Sequence, residues 1–368
     1  MIGPLRGIRV IEMARILAGP WAGQTLADLG AEVIKVESPD GDDTRSWGPP
    51  FLEHDGQSSA AYYHCANRSK SSVTIDFRTE DGRKELLDLI ASADVLIENF
   101  KVGGLAKYGL DYYSLSKEYP ALIYCSITGF GQTGPYAERA GYDFLLQGMS
   151  GLMSFTGDPE GQPTKVGVAV TDVFAGLYSV IAIQAALRER ENTKEGTHID
   201  MSLLDTSVAV TANQAMNYLA SGVSPARLGN AHPNIMPYTV VNCRDGHIIL
   251  AVGNDSQFAR FAKILGCPQW SEMDMFCTNE ARVHNRASLM ESIENETKKW
   301  SKVDLLSACE AEKVPAGPIN DLAEVFADPQ VRSRGLQLDL DGVPSVRNPI
   351  RFSNIDLPAP KASPKHQK

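Results

Sequence analysis

Asp172 is the residue of this 368-residue chain best placed to do chemistry. It follows a short apolar run of β-type residues, 166–170, and precedes an almost wholly apolar run of helical length, 173–187. A strand feeding a buried helix sets Thr171 and Asp172 at the helix's N-terminal edge. Free backbone N–H groups and the positive end of the helix dipole favour a negative charge there. The carboxylate is therefore expected to stay ionised beside an apolar core. Two roles fit it: an N-cap, for which Asp is a preferred residue, or a carboxylate nucleophile.

Other chemistry-bearing residues are more dispersed. Arg45, Arg68, Lys70, Arg78, Lys101 and Lys107 are spread along the first domain. Several of them flank strands, where open α/β sheets bind their ligands, and together they suit an anionic cofactor such as coenzyme A. Residues 129–134 read GFGQTG, a formal GxGxxG after a strand. Pro135 follows at once, and no acidic residue closes a clear next strand to hold a ribose. The segment reads as a glycine turn, either plain or one whose backbone approaches a ligand. His232 and His247 lack a third ligand at suitable spacing, and the six cysteines show no zinc pattern, so no metal is expected. No GxSxG elbow is present.

The elements that must hold these residues alternate in type. Residues 8–13 read as a strand, 21–29 as a helix with Pro20 at its start and Gly30 past its end, and 31–37 as a second strand. Parallel strands joined this closely need a crossover helix, which makes a Rossmann-like half-sheet. The turn 14–20 lacks the glycines of a pyrophosphate-binding turn, which argues against an NAD site. Strands are expected at 72–77, 94–98, 121–128 and 198–201, and helices at 79–92, 104–118 and 203–220. After a Gly-, Pro- and Asn-rich stretch the pattern changes to a β-hairpin at 238–243 and 247–252, then helices at 256–265, 285–301 and 302–312. The fold class is therefore α/β: a Rossmann-like large domain (1–190), a linker (191–227), a small α+β domain (228–320), and a return linker with a Pro-rich C-terminal segment packing on the large domain (321–368).

Composition narrows the partners. A net charge of −10 argues against nucleic acid or an anionic membrane as the main partner. The apolar run 173–187 is too short to span a bilayer, and the first thirty residues show no secretory pattern. Scattered cysteines fit reduced thiols in a cytoplasmic protein.

Several stretches, taken in order, resemble the family III CoA-transferases. They are LAGPWAGQTLADLGAEVIKVE (17–37), NRSKSSVTIDFRTEDG (67–82), ADVLIENF (93–100), SITGFGQTGPYAERAGYD (126–143), VGVAVTDVFAGLY (166–178), IDMSLLDT (199–206) and VPAGPINDLAEVFADPQVRSRG (314–335). The resemblance implies that Asp172 is the nucleophile. It implies CoA contacts at Leu17 and Ala18, at Ile75, Asp76, Phe77 and Arg78, at Asn99, Phe100 and Lys101, at Lys107, and in the loop holding Arg139, Gly141, Tyr142 and Asp143. Ser38 stands where many members carry an arginine, and Arg45 is the candidate to replace it. Leu17 and the segment GNDSQF (253–258) differ from the formyl-CoA:oxalate enzymes. With RLGNAHPNIMPY (227–238), that segment looks most like the succinyl-CoA:dicarboxylate branch, with succinyl-CoA as donor and glutarate, itaconate or malate as acceptor. The resemblance also implies an interlocked homodimer. Two alternatives accompany it. α-Methylacyl-CoA racemases of the same fold carry a histidine where this chain has Tyr142, and a tyrosine is a poor base at neutral pH. The other alternative is a non-catalytic CoA-binding protein with Asp172 as a mere cap.

Overall fold

Strand order decides where a parallel sheet can hold a ligand. The computed structural model describes residues 2–54 and 56–367. Its first compact unit runs to Met153 and takes in Lys165–Val223 and the chain from Pro329 onward. In chain order it contains β1 (Arg9–Glu12), α1 (Ala18–Asp28), β2 (Glu32–Glu37), the hairpin β3 (Phe51–His54) and β4 (Gln57–Ala60), α2 (Ala61–His64), β5 (Ser71–Thr74), α3 (Glu80–Ile90), β6 (Val95–Glu98), α4 (Tyr112–Glu118), β7 (Ile123–Thr128), α5 (Asp143–Met149), α6 (Val170–Thr193), β8 (His198–Ser202), α7 (Leu203–Ala209) and α8 (Ala212–Ser221). Six strands form one sheet, ordered β5-β2-β1-β6-β7-β8, and every neighbouring pair is parallel. This is the doubly wound order, and its direction reverses between β1 and β6.

The strand sequences explain why both faces are covered. In β1 Val10 faces one side and Ile11 the other, and both are fully buried. Val10, Val95, Ile97, Ile123 and Cys125 pack with Ala22 and Leu26 of α1 and with Ala175, Val180 and Ile183 of α6. Ile11, Ile34, Leu96 and Tyr124 pack with Leu86 and Ile90 of α3 and Leu115 of α4 on the other face. Each fully buried aliphatic side chain contributes about 1.5–3 kcal/mol. Close approach of α1 and α6 depends on Gly176: a Cβ there would lie 2.7 Å from the Ala18 carbonyl oxygen.

The second unit comprises Ser154–Thr164 and Ser224–Asp328. The expected hairpin forms as β9 (Tyr238–Cys243) and β10 (Gly246–Ala251), and β11 (Ala316–Pro318) adds a third antiparallel strand. Helices α9 (Asp255–Ile264), α10 (Asn279–His284), α11 (Arg286–Thr297) and α12 (Lys302–Ala311) surround a core of Phe258, Phe261, Leu289, Ile293 and Leu305.

Some expected boundaries need correction. Residues 166–169 are not a strand. Val168 is exposed, no strand among the described residues pairs with it, and the Val166 N–H donates to Gln147 Oε1 instead (2.9 Å). The expected helix 203–220 is two helices, divided at Val210 and Thr211. The expected helix 104–118 is a short 3₁₀ turn, Ala106–Tyr108, followed by α4. The stretch 191–227 is not simply a linker, since it carries β8, an edge strand of the main sheet. Near the C-terminus, Lys361 and His366 hydrogen-bond with Ser69 and Gln57 of the first unit.

Candidate active site

The crevice where strand order reverses is walled by the segments that follow β1 and β6. After β1 the chain passes through Ile16 with φ +72°, a left-handed conformation that a β-branched residue seldom adopts. Its neighbours hold it there. The Arg15 N–H donates to Asn99 Oδ1 (3.0 Å), and Asn99 Nδ2 donates back to the Arg15 carbonyl (2.8 Å). The Ile16 N–H donates to the Asp42 carboxylate (3.3 Å), which is itself paired with the buried Lys35 ammonium (2.9 Å). Lys35 also pairs with Glu12 (3.2 Å) and donates to the Ala14 carbonyl (2.9 Å). Burial opposes the Lys35 charge, but Glu12 and Asp42 outweigh it and hold its pKa above the ordinary range. A fully buried, matched charge cluster thus fixes the turn that opens α1.

Asp172 lies inside the first turn of α6, three residues after the cap position Ala169, and makes no cap. Asp143, the first residue of α5, takes that role. Its Oδ1 accepts the Thr171 N–H (2.8 Å), and its Oδ2 accepts from Gln147 Nε2 (2.7 Å). Asp172 is left without a hydrogen-bond partner among the described residues. Burial, and then the neighbouring Asp143 charge, push its pKa up to about 7. The expectation of a fully ionised carboxylate is thereby corrected: the helix terminus that should hold the charge is occupied by Asp143. Tyr62 of α2 sits close enough for the Asp172 charge to help burial raise the phenol to about 12.

A cavity of about 390 Å³ occupies the crevice, lined by Arg15, Ile16, Leu17, Ala18, Asn99, Phe100, Lys101, Arg139, Gly141, Tyr142 and Asp172. Nine residues singled out from the sequence therefore meet at one place. Gly129 and Gly141 complete its wall, and their backbones touch: a Cβ on Gly129 would lie 2.6 Å from the Gly141 Cα. The GFGQTG glycine thus admits another backbone segment. At the edge, Phe77 packs edge-on against both Phe100 and Tyr108, with centroids 5.6 and 5.3 Å apart. That brings the segment 75–78 beside 100–108. Ile75 is buried in the core. Asp76 and Arg78 pair with each other (2.7 Å) at the surface.

Several of the basic residues expected at a ligand are otherwise engaged. Arg45 makes a two-pronged pair with Glu37 (2.8 and 2.7 Å), donates to the Tyr63 hydroxyl and the Pro364 carbonyl, and stacks on the Tyr63 ring. Its guanidinium is thus held by protein groups beside the site of the arginine missing at Ser38. Arg68 is buried against Asp28, and Lys70 against Glu12 (2.8 Å). Lys101 and Lys107 are exposed, and no carboxylate pairs with either among the described residues. Arg139 lies over the Tyr136 ring at 3.9 Å.

Sequence reading missed the capping role of Asp143, the strain at Ile16, the Asn99 clamp and the proximity of Tyr62. It also missed a buried chain of polar groups beyond the cavity. Glu98 accepts the Phe100 N–H (2.7 Å), and Ser126 bonds both Glu98 and His198 Nε2 (2.9 Å). Each of these pairings is either long-range or depends on burial, so no local pattern marks it.

Comparison with known proteins shows the family. The family model of CoA-transferase family III matches residues 5–368. A succinate–glutarate CoA-transferase from Agrobacterium fabrum is 60% identical over 370 residues, covering 98% of this chain and 92% of its own length. The human succinyl-CoA:glutarate CoA-transferase is 42% identical, covering 99% and 83%. The crystal structure of a CAIB/BAIF family protein from Brucella suis superposes with a TM-score of 0.90 at 60% identity, covering 99% and 97%.

Proposed function

The chain belongs to CoA-transferase family III, and on that premise we propose that it moves CoA from succinyl-CoA to a dicarboxylic acid, with Asp172 as the nucleophile. The observation that carries this reading is a carboxylate without a hydrogen-bond partner among the described residues, in a cavity at the switch point of the sheet. The names of the relatives from Agrobacterium fabrum and human support glutarate as the first acceptor to test.

Each step conserves the acyl and thiol groups. An Asp172 oxygen attacks the thioester carbonyl, the C–S bond breaks, and CoA leaves as thiolate, giving a mixed anhydride. The thiolate attacks the Asp172 carbonyl carbon and releases succinate, giving an aspartyl-CoA thioester. The acceptor carboxylate attacks that thioester and expels thiolate. The thiolate then attacks the acceptor's carbonyl, which frees Asp172 and yields the new acyl-CoA. A carboxylate suits this work because each adduct must be easily reversed. A pKa near 7 leaves about half of Asp172 ionised at neutral pH while making that oxygen more basic than an ordinary aspartate. CoA is a substrate here. Lys101 in the cavity wall and Lys107, whose ammonium lies over the Tyr108 ring (4.9 Å), would meet its phosphates, and Phe77, Phe100 and Tyr108 would offer an aromatic rim for its apolar parts.

The reading includes a homodimer working in the cytoplasm. Phe144, Leu145 and Met149 of α5, Phe174, Tyr178 and Ile181 of α6, and Met216 and Leu219 of α8 are exposed. By length and composition α6 could cross a membrane, yet its other face forms the core of the first unit. A second copy would cover the exposed face.

The test is incubation with succinyl-CoA followed by mass measurement of the peptide that contains Asp172. A succinyl or CoA adduct, and glutaryl-CoA once glutarate is added, are the expected results. An unmodified peptide during turnover would overturn the reading.

A further inference from the structure

We propose that Asp143 is a positioning residue for the transfer reaction: its carboxylate caps α6 in place of Asp172, and its charge strengthens the Asp172 oxygen as a nucleophile. This rests on the reading of Asp172 as the attacking group. The geometry is specific. Asp143 Oδ1 accepts the Thr171 N–H at 2.8 Å, one residue before the nucleophile. Gln147 holds Oδ2 at 2.7 Å, so both oxygens are fixed. Gln147 Oε1 in turn accepts the Val166 N–H (2.9 Å), tying down the segment that leads into α6. An aspartate in the first turn of a helix ordinarily turns back to the free N–H groups. With Thr171 already bonded to Asp143, Asp172 has less reason to do so and remains in the cavity.

Electrostatics works in the same direction. A like charge nearby disfavours ionisation and leaves the oxygen more basic. The charged or titratable groups placed around Asp172 are Asp143 on α5, Tyr62 on α2, and Arg15, Lys101, Arg139 and Tyr142 in the cavity wall. The Asp143 charge raises the Asp172 pKa, second to burial.

The experiment is the pH dependence of kcat/KM for succinyl-CoA and glutarate in the full-length wild type and in Asp143→Asn. The amide keeps an oxygen for the Thr171 N–H but carries no charge. The acid limb should sit near pH 7 in the wild type and move down by about one pH unit in the variant. On the high-pH plateau the variant should be slower, because its nucleophile is less basic. A purely structural Asp143 would lower the rate at every pH and leave the limb in place, which overturns the proposal. If Asp143→Asn does not fold, Asp143→Ser supplies a neutral oxygen for the same N–H. A wild-type limb below pH 5 overturns the proposal without any variant. The adduct measurement separates the two readings: an adduct on Asp172 with an unmoved limb removes only Asp143's role, whereas no adduct removes both.

Discussion

Around Lys35 every buried charge has an opposite neighbour. Glu12 meets Lys35 and Lys70, Asp42 meets Lys35, and Glu37 meets Arg45, all within 3.2 Å. Around Asp172 the pattern inverts. The Asp143 charge acts on Asp172, a group of the same sign; both Asp143 oxygens are bonded, and among the described residues Asp172 has no hydrogen-bond partner. The first arrangement holds backbone: it keeps Ile16 at positive φ and closes the turn into α1. The second holds a reactive group at a cost in stability. Matched burial marks scaffold, and unmatched burial beside a cavity marks chemistry.

The largest effects should fall at the two centres, one in activity and the other in stability. Asp172→Asn should lower CoA exchange by about a thousandfold or more while CoA still binds. Residual exchange above a few per cent of wild type would place the nucleophile elsewhere. Lys35→Met conserves volume but leaves Asp42 without its cation, and breaking a buried pair in this way costs about 3–5 kcal/mol. Denaturant unfolding should register that loss; a variant within about 1 kcal/mol of wild type would mean that the network does not carry the turn.

Much of the framework was legible because it is written locally. The apolar runs 95–97 and 123–127, Thr79 ahead of α3 and Gly30 after α1 each announce an element through neighbours in sequence. Asp172 could be found, but its condition could not. The residue that caps α6 lies 28 positions upstream of Thr171, and the sequence around Asp143 looks like a loop until α5 is seen. The basic residues misled for the same reason. Arg45, Arg68 and Lys70 look like surface charge near strand ends, and only tertiary packing reveals Glu37, Asp28 and Glu12 beside them. Burial and long-range partners set what a titratable group does, and neither has a periodicity.

A smaller effect should appear in stability as a function of pH. The Asp172 pKa rises from the ordinary 3.8 to about 7 on folding, so between those values the folded state holds the extra proton. Stability is then lost as pH climbs through that window and the buried carboxyl is forced to ionise. Asp172→Asn removes the group. It should melt with wild type near pH 4 and be the more stable protein at pH 8, by at most about 4 kcal/mol. Equal stability at pH 8 would mean that Asp172 ionises without penalty, and the contrast with the Lys35 network would fade.

The smallest effect compares two cations. Arg45 is held by Glu37, Tyr63 and Pro364, whereas Lys101 stands exposed at the cavity and, among the described residues, pairs with no carboxylate. If matched charge means scaffold, Arg45→Ala should lower the melting midpoint and leave KM for succinyl-CoA near wild type. If unmatched charge means ligand, Lys101→Ala should do the reverse. An exposed charge-assisted bond to a phosphate is worth about 1 kcal/mol, which is roughly a fivefold rise in KM. The rise should shrink as salt is added, because the contact is screened, and kcat should hold because phosphates far from the reacting carbon bind alike in ground and transition states. A KM for Lys101→Ala that does not change at low salt would remove this lysine from the CoA path. A raised KM for Arg45→Ala would mean that its pair with Glu37 opens to admit the substrate.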